Sequence, residues 1–301
     1  MDTYVTVRAY GADEELLRSA EDRVEKLESL LSVTREDSEI SRLNRDGCAE
    51  LSKSTADLLR RALELGDLTA GALDVTVYPI VRAWGFTTGK YRVPTEAEIS
   101  ELLSCVDYRN VTLTDAGAAV PAGTMVDLGS VAKGYAGEQI AALLRDGGVR
   151  SALLDLGGNV QTVGAKPDGT PWSIAVRDPH GDGYLGVVSV TDEAVVTSGG
   201  YERYFVDESG AVRWHIMDPA TGSPAQSGLL SATVVGKSGV ICDGLSTALF
   251  VLGKDRAEAL WRQMGSFEMI LLSEEGELWI TPGLEGRFTS KRYRPEVMGR
   301  D

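Results

Sequence analysis

An α+β fold is what this sequence predicts, and three observations point to it. Helix-period segments crowd the first half, strand-like runs broken by Gly, Asp and Pro fill residues 151–235, and no regular strand–helix alternation joins the two. The chain opens on a strand that ends near Gly11. Residues 13–31 read as an amphipathic helix, because Leu16, Ala20, Val24, Leu27 and Leu31 recur on one stripe. Ser54 is placed to cap a second helix through Leu58, Leu59, Ala62 and Leu63. Thr95 with Glu98, behind Pro94, forms a capping box that opens a third helix toward Leu103. A fourth covers residues 132–144 and stops at Gly147-Gly148. After the strands come a short helix over residues 243–250, another over 256–264, and a hairpin turning at Glu274-Glu275-Gly276. No repeat, low-complexity tract or long linker marks a boundary, so residues 1–301 read as a single catalytic body, open to a two-lobed arrangement.

With 301 residues, 43% of them hydrophobic and 25% charged, the chain has the material for a sizeable core. Its formal net charge of −15, from 45 acidic and 30 basic side chains, argues against a duplex nucleic-acid binder, which carries a basic face. That balance also repels anionic ligands at long range, so a phosphate-bearing substrate needs a cation or local amide donors. Cys48, Cys105 and Cys242 have no C-x-x-C spacing, which excludes a cysteine-rich zinc site and a dense disulfide framework. Only His180 and His215 are available, so a multi-histidine metal centre is excluded too. No stretch approaches the roughly 18 apolar residues of a membrane span, and no signal peptide is evident.

Two motifs are decoys. Gly181-Asp182-Gly183-Tyr184-Leu185-Gly186 matches G-x-G-x-x-G, but strand-like Val187-Val188-Ser189-Val190 follows where a dinucleotide site needs a helix. A hairpin turn is the better reading. Gly236-Lys237-Ser238 resembles the end of a phosphate-binding loop, yet Ser231 holds the place of its first glycine.

Other segments carry chemistry, each beside a bland reading. Met125-Val126-Asp127-Leu128-Gly129-Ser130-Val131-Ala132-Lys133 delivers an aspartate, a small-residue turn and a lysine at a helix start, which suits phosphate. It equally suits an aspartate cap with a solvated lysine. Asp243 and Thr247 fall one helical turn apart, a carboxylate and a hydroxyl fit for a hard cation such as Mg²⁺. The plain alternative is that Asp243 caps the helix and Thr247 bonds back to a carbonyl. His215, between Trp214 and Ile216-Met217-Asp218-Pro219, is a candidate proton acceptor or simply a core histidine. Thr197-Ser198-Gly199-Gly200-Tyr201-Glu202-Arg203, Asp155-Leu156-Gly157-Gly158-Asn159 and Gly71-Ala72-Leu73-Asp74 are ligand-facing turns or only turns.

In this order the segments resemble the ApbE family, the FAD:protein FMN transferases. The likeness runs from Met1-Asp2-Thr3 through Ser38-Glu39-Ile40-Ser41-Arg42-Leu43-Asn44, Ala72-Leu73-Asp74, Trp84-Gly85-Phe86, Asp127-Leu128-Gly129-Ser130 and Lys133-Gly134-Tyr135-Ala136. It continues through Thr197-Ser198-Gly199 and His215-Ile216-Met217-Asp218-Pro219 to Asp243 with Thr247. Gly200 departs from it, standing where many members carry Asp. The resemblance implies an ApbE-type catalytic domain related to the T-fold, FAD as substrate, and Mg²⁺ held by Asp243, Thr247 and the Ser130 carbonyl. It implies FAD contacts at Met1, Ala72, Leu73, Asp74, Asp127, Lys133 and Met217, and places Asn44 near FAD.

The expected reaction is attack of a Thr or Ser hydroxyl of a partner protein on the FMN-side phosphorus of FAD, giving phosphoester-linked FMN and AMP. His215 and Asp243 are the expected catalytic residues. Two alternatives share the sequence: an FAD pyrophosphatase that uses water, and a non-catalytic FAD-binding protein. The resemblance implies an acceptor in a membrane redox complex or related flavoprotein, and work at the cell envelope, on the outer face of the cytoplasmic membrane. The absent signal and the odd cysteine count favour the cytoplasm instead.

Overall fold

A computed structural model describes residues 3–299, which form a mixed α+β structure. Met1, an expected FAD contact, lies outside the described residues. The chain divides into two compact units, one of residues 1–25, 133–199 and 227–301 and the other of residues 26–132 and 200–226.

The first unit is built on a long sheet. Among the described residues its strand order is Val5–Tyr10, Ser151–Leu156, Asn159–Val163, Ala194–Gly199, Leu229–Gly236, Glu268–Ser273, Leu278–Ile280 and Glu296–Val297. Every pairing is antiparallel except the last. Val195, Val235, Ile270, Leu272, Leu278 and Ile280 bury one face against Trp172, Ile174, Leu185 and Val188 of a smaller three-stranded sheet. The Gly239–Met264 helix packs on the Ala194–Gly199 and Leu229–Gly236 strands. It is broken at Gly253, whose φ of 75° and ψ of 172° are non-helical, so this run is two helices that meet at a break between residues 250 and 256, as the sequence predicts. The expected Glu274-Glu275-Gly276 hairpin joins Glu268–Ser273 to Leu278–Ile280.

Both decoy motifs are structural. Residues 178–183 turn between the antiparallel strands Trp172–Arg177 and Tyr184–Val190. Lys237 Nζ faces the Asp192 carbonyl at 3.3 Å, and Ser238 caps the following helix. That helix start already holds an anion: Glu138 Oε1 accepts from Ser238 Oγ at 2.5 Å and from the Val240 amide at 3.1 Å.

The second unit is helical with short hairpins. Ser52, not Ser54, caps the Lys53–Leu68 helix, its hydroxyl accepting the Thr55 amide. Ser54 falls in the first turn, because Glu39 takes the Ser52 amide and hydroxyl at 3.0 Å and starts the helix earlier. The capping box at Thr95 and Glu98 is present and opens Glu96–Leu103. The helix expected from residue 132 begins at Gly129, since Asp127 Oδ1 accepts the Gly129 amide at 2.9 Å and starts the turn early. Two short helices, Glu39–Asp46 and Tyr78–Ala83, were not expected. Ile80, Trp84, Phe86 and Met217 form a small core, with Trp84 Nε1 donating to the Gly222 carbonyl at 2.9 Å.

One helix contact in the first unit sets the position of the site. A Cβ on Gly134 would overlap the Gly239 carbonyl oxygen and lie 2.8 Å from the Asp243 Cβ. Only a glycine lets these two helix backbones approach so closely. Gly134→Ala should therefore cost about 1–3 kcal/mol by overpacking. Gly183→Ala, with nothing within 4 Å of the new Cβ, should stay within about 0.5 kcal/mol. Denaturant unfolding of both variants checks this, and equal stabilities would refute it.

Candidate active site

Asp243 lies in the second turn of the Gly239–Met264 helix and is only 4% exposed. Because Ser238 is the cap, Asp243 is not, and the bland reading of this residue falls. The Gly134 amide donates to its Oδ2 at 2.7 Å. Burial pushes the Asp243 carboxyl up to about 6, against the opposing pull of the Lys133 charge, the Gly134 amide and Asn159. Lys133, half-buried, stands in the second turn of the Gly129–Asp146 helix, and Ser130 stands in its first.

Thr247 does not simply bond back to a carbonyl; it belongs to a chain of hydroxyls. Ser246 Oγ donates to the Asp243 backbone carbonyl at 2.8 Å. A carbonyl only accepts, so the single Ser246 proton is committed there. Ser198 Oγ, 2.8 Å from Ser246 Oγ, must then donate to it. Thr247 Oγ1, 3.3 Å from Ser198 Oγ, donates in turn to Ser198. Thr247 thus directs its proton into the protein and keeps its lone pairs for a cation.

Among the described residues no group of three His, Cys, Asp or Glu side chains could hold a metal. A cation at Asp243 and Thr247 would therefore share one carboxylate with hydroxyl, carbonyl, water or substrate oxygens. That donor set fits Mg²⁺ and not zinc.

In the second unit, Leu73 and Asp74 are buried and Ala72 is half-buried. Asp74 Oδ1 accepts from the Thr76 amide at 2.7 Å and the Thr76 hydroxyl at 2.6 Å, while Oδ2 accepts the Tyr108 amide at 3.0 Å. Burial raises its pKa against those bonds. The Asp74 side chain is thus committed to shaping its own loop. Asn44 clamps the segment before Asp127: its Nδ2 donates to the Val126 carbonyl at 2.8 Å and its Oδ1 accepts the Val126 amide at 2.6 Å. The Asp127 amide donates to the Val75 carbonyl at 2.8 Å. Desolvation raises the Asp127 carboxyl, opposed by the Gly129 amide and the Arg203 charge.

The His215 amide donates to the Arg203 carbonyl at 3.1 Å, and His215 Nδ1 lies 3.2 Å from the same oxygen. Since that oxygen cannot donate, a neutral ring would carry its proton on Nδ1 and its lone pair on Nε2. Met217 is 4% exposed, its side chain part of the Trp84–Phe86 core.

Within the first unit the structure therefore gathers Asp243, Thr247 and Lys133. Ala72, Leu73, Asp74, Asp127, Ser130, His215 and Met217 belong to the second. Sequence reasoning missed the roles of Asn159, Gln161, Ser198, Ser246 and Arg203. Asn159, Ser198 and Arg203 stood in glycine-marked segments, the one signal that could have found them.

The sequence model of the ApbE family matches residues 1–271. An FAD:protein FMN transferase of Vibrio cholerae is 35% identical over 259 residues, 83% of this chain and 77% of that protein. One of Treponema pallidum is 34% identical over 287 residues, 88% of this chain and 78% of that protein. The crystal structure of the ApbE protein from Thermotoga maritima matches with a TM-score of 0.88 at 32% identity, covering 96% of each chain. The flavin transferase ApbE from Vibrio cholerae matches at 0.84 and 29% identity, over 95% of this chain and 96% of that one.

The raised Asp243 carboxyl has a pH signature. Folded, it holds its proton up to about 6, against an ordinary value of 3.8. Between those values the folded state binds more protons than the unfolded one, so this group's contribution to stability falls as pH rises. In EDTA, Asp243→Asn should gain on the wild type from pH 4 to 6 and then hold a constant advantage. Denaturant midpoints across pH measure it, and a difference independent of pH in that window would count against the burial argument.

Proposed function

The chain belongs to the ApbE family, and we propose that it transfers the FMN half of FAD to a Thr or Ser hydroxyl of a partner protein. The observation that carries this reading is the reach of the family match, which runs over residues 1–271 and so includes both Asp243 and Thr247.

The acceptor oxygen bonds to the FMN-side phosphorus of the diphosphate as the bond from that phosphorus to the bridging oxygen breaks. AMP leaves with the bridging oxygen, and FMN remains on the acceptor as a phosphoester. Asp243, Thr247 and the Ser130 carbonyl are the residues that would hold Mg²⁺. When bound, the cation supplies Lewis-acid stabilisation of charge on the diphosphate. Lys133 adds a point charge for the same group in a chain whose net charge of −15 otherwise disfavours it. His215 is assigned to take the acceptor's proton on Nε2, an assignment supported by the Arg203 carbonyl that fixes its tautomer. Asp243 acts by setting the charge at the cation. Ala72, Leu73, Asp74, Asp127, Met217 and Met1 remain the proposed flavin contacts. The proposal extends to the acceptor, a subunit of a membrane redox complex or related flavoprotein, and to the cell envelope as the compartment. Among the described residues no helix is long and apolar enough to cross a membrane.

Incubation with FAD, Mg²⁺ and an acceptor protein, read by in-gel flavin fluorescence and AMP release, tests the reaction. Asp243→Ala should abolish labelling with an unchanged far-UV spectrum, and excess EDTA should do the same to the wild type. Free FMN and AMP without a labelled acceptor would make water the acceptor, and full labelling in EDTA would overturn the metal reading. His215→Gln should lower kcat by about 10²–10⁴. A loss under about threefold would remove His215 from the proton transfer.

A further inference from the structure

Among the described residues, Asn159 Nδ2 is a buried donor with no hydrogen-bond partner. Asn159 opens the strand Asn159–Val163 and is 0% exposed. Its orientation is fixed by Gln161, two residues on and so on the same face of the strand. Gln161 contacts the Gly134 carbonyl at 2.9 Å, and a carbonyl oxygen accepts without donating, so the Gln161 atom there is its amide nitrogen. The same nitrogen reaches Asn159 at 3.2 Å, which makes the Asn159 atom facing it Oδ1. Nδ2 is thereby turned away from Gln161. Through Gln161 and the Gly134 peptide, whose amide donates to Asp243 Oδ2, Asn159 belongs to the hydrogen-bonded group that holds Asp243. Its side chain favours the ionised Asp243 carboxyl while Nδ2 falls short of full hydrogen-bond geometry.

Leaving an amide buried and unpartnered costs free energy. The cost makes sense for a donor that is needed when Asp243 is charged and holding a cation. An amide suits that task because it adds a donor without adding charge. An aspartate there would set a second negative charge beside the first, and a lysine would repel the cation.

We infer that Asn159, locked in orientation by Gln161, is a positioning residue that holds the Asp243 carboxylate for a divalent cation. The inference rests on the Asp243 reading proposed above. Gly134 joins both parts of the arrangement, its amide on Asp243 Oδ2 and its carbonyl on Gln161. One helical glycine thus ties the carboxylate to the strand pair behind it. Groups that orient metal ligands in this way are typically worth about 10–100-fold in metal affinity.

The test is calorimetric titration of MgCl₂ into the full chain, for wild type, Asn159→Leu, Gln161→Met and Asp243→Ala, with metal-free unfolding midpoints for each. Asn159→Leu should weaken Mg²⁺ binding by about 10–100-fold. Its metal-free midpoint should stay or rise, and FMN transfer lost at low Mg²⁺ should return at high Mg²⁺. Gln161→Met keeps the Asn159 amide but frees its rotation, so it should weaken binding in the same direction by less. If Asn159→Leu does not fold, Gln161→Met decides alone. A lower metal-free midpoint with wild-type Mg²⁺ affinity would mean a merely structural role and overturn the inference. Wild-type affinity in both amide variants, with binding lost in Asp243→Ala, sinks this inference and leaves the metal reading standing. Wild-type affinity in Asp243→Ala overturns both.

Discussion

Asp243 carries its charge, when ionised, in a place from which water is almost wholly excluded, and its neighbours are arranged around that fact. A carboxylate so buried needs compensation from close at hand. Lys133 supplies charge and the Gly134 amide supplies a hydrogen bond, and both sit on the helix pressed against Asp243. The compensation is incomplete, since the carboxyl remains pushed up toward neutrality. A site left short of positive charge in this way suits the divalent cation proposed above.

The order of protons along the hydroxyl chain makes the same case from the other proposed ligand, Thr247. The direction from Thr247 through Ser198 and Ser246 to a backbone carbonyl depends only on that carbonyl's inability to donate. The sheet therefore does more than support the helix. Strand Ala194–Gly199 places Ser198 against the Thr247 hydroxyl, and strand Asn159–Val163 carries the amide inferred to hold the carboxylate.

Much of this was legible in the sequence, and the remainder was not for identifiable reasons. The Thr95 helix start could be read because its capping box acts within one turn of chain, and the 13–31 helix because its apolar stripe repeats at the helical period. Asp243 and Thr247 could be paired because helical spacing alone puts them on one face. The Ser52 cap was missed because Glu39, thirteen residues earlier, selects it over Ser54. Asn159 and Ser198 come from strands far from residue 243 along the chain, and no periodicity reports which strands will neighbour a helix. Asp74 shows the same limit: the bonds of its carboxylate to Thr76 and to Tyr108, thirty-four residues on, follow from no spacing rule.

Glu138 has a consequence for selectivity. Its carboxylate sits on the Val240 amide and the Ser238 hydroxyl, so the positive pole of the Gly239–Met264 helix is already neutralised from within. The helix that presents Asp243 and Thr247 cannot also serve as a generic phosphate trap. An anion arriving at that helix start would meet a carboxylate already on both donors.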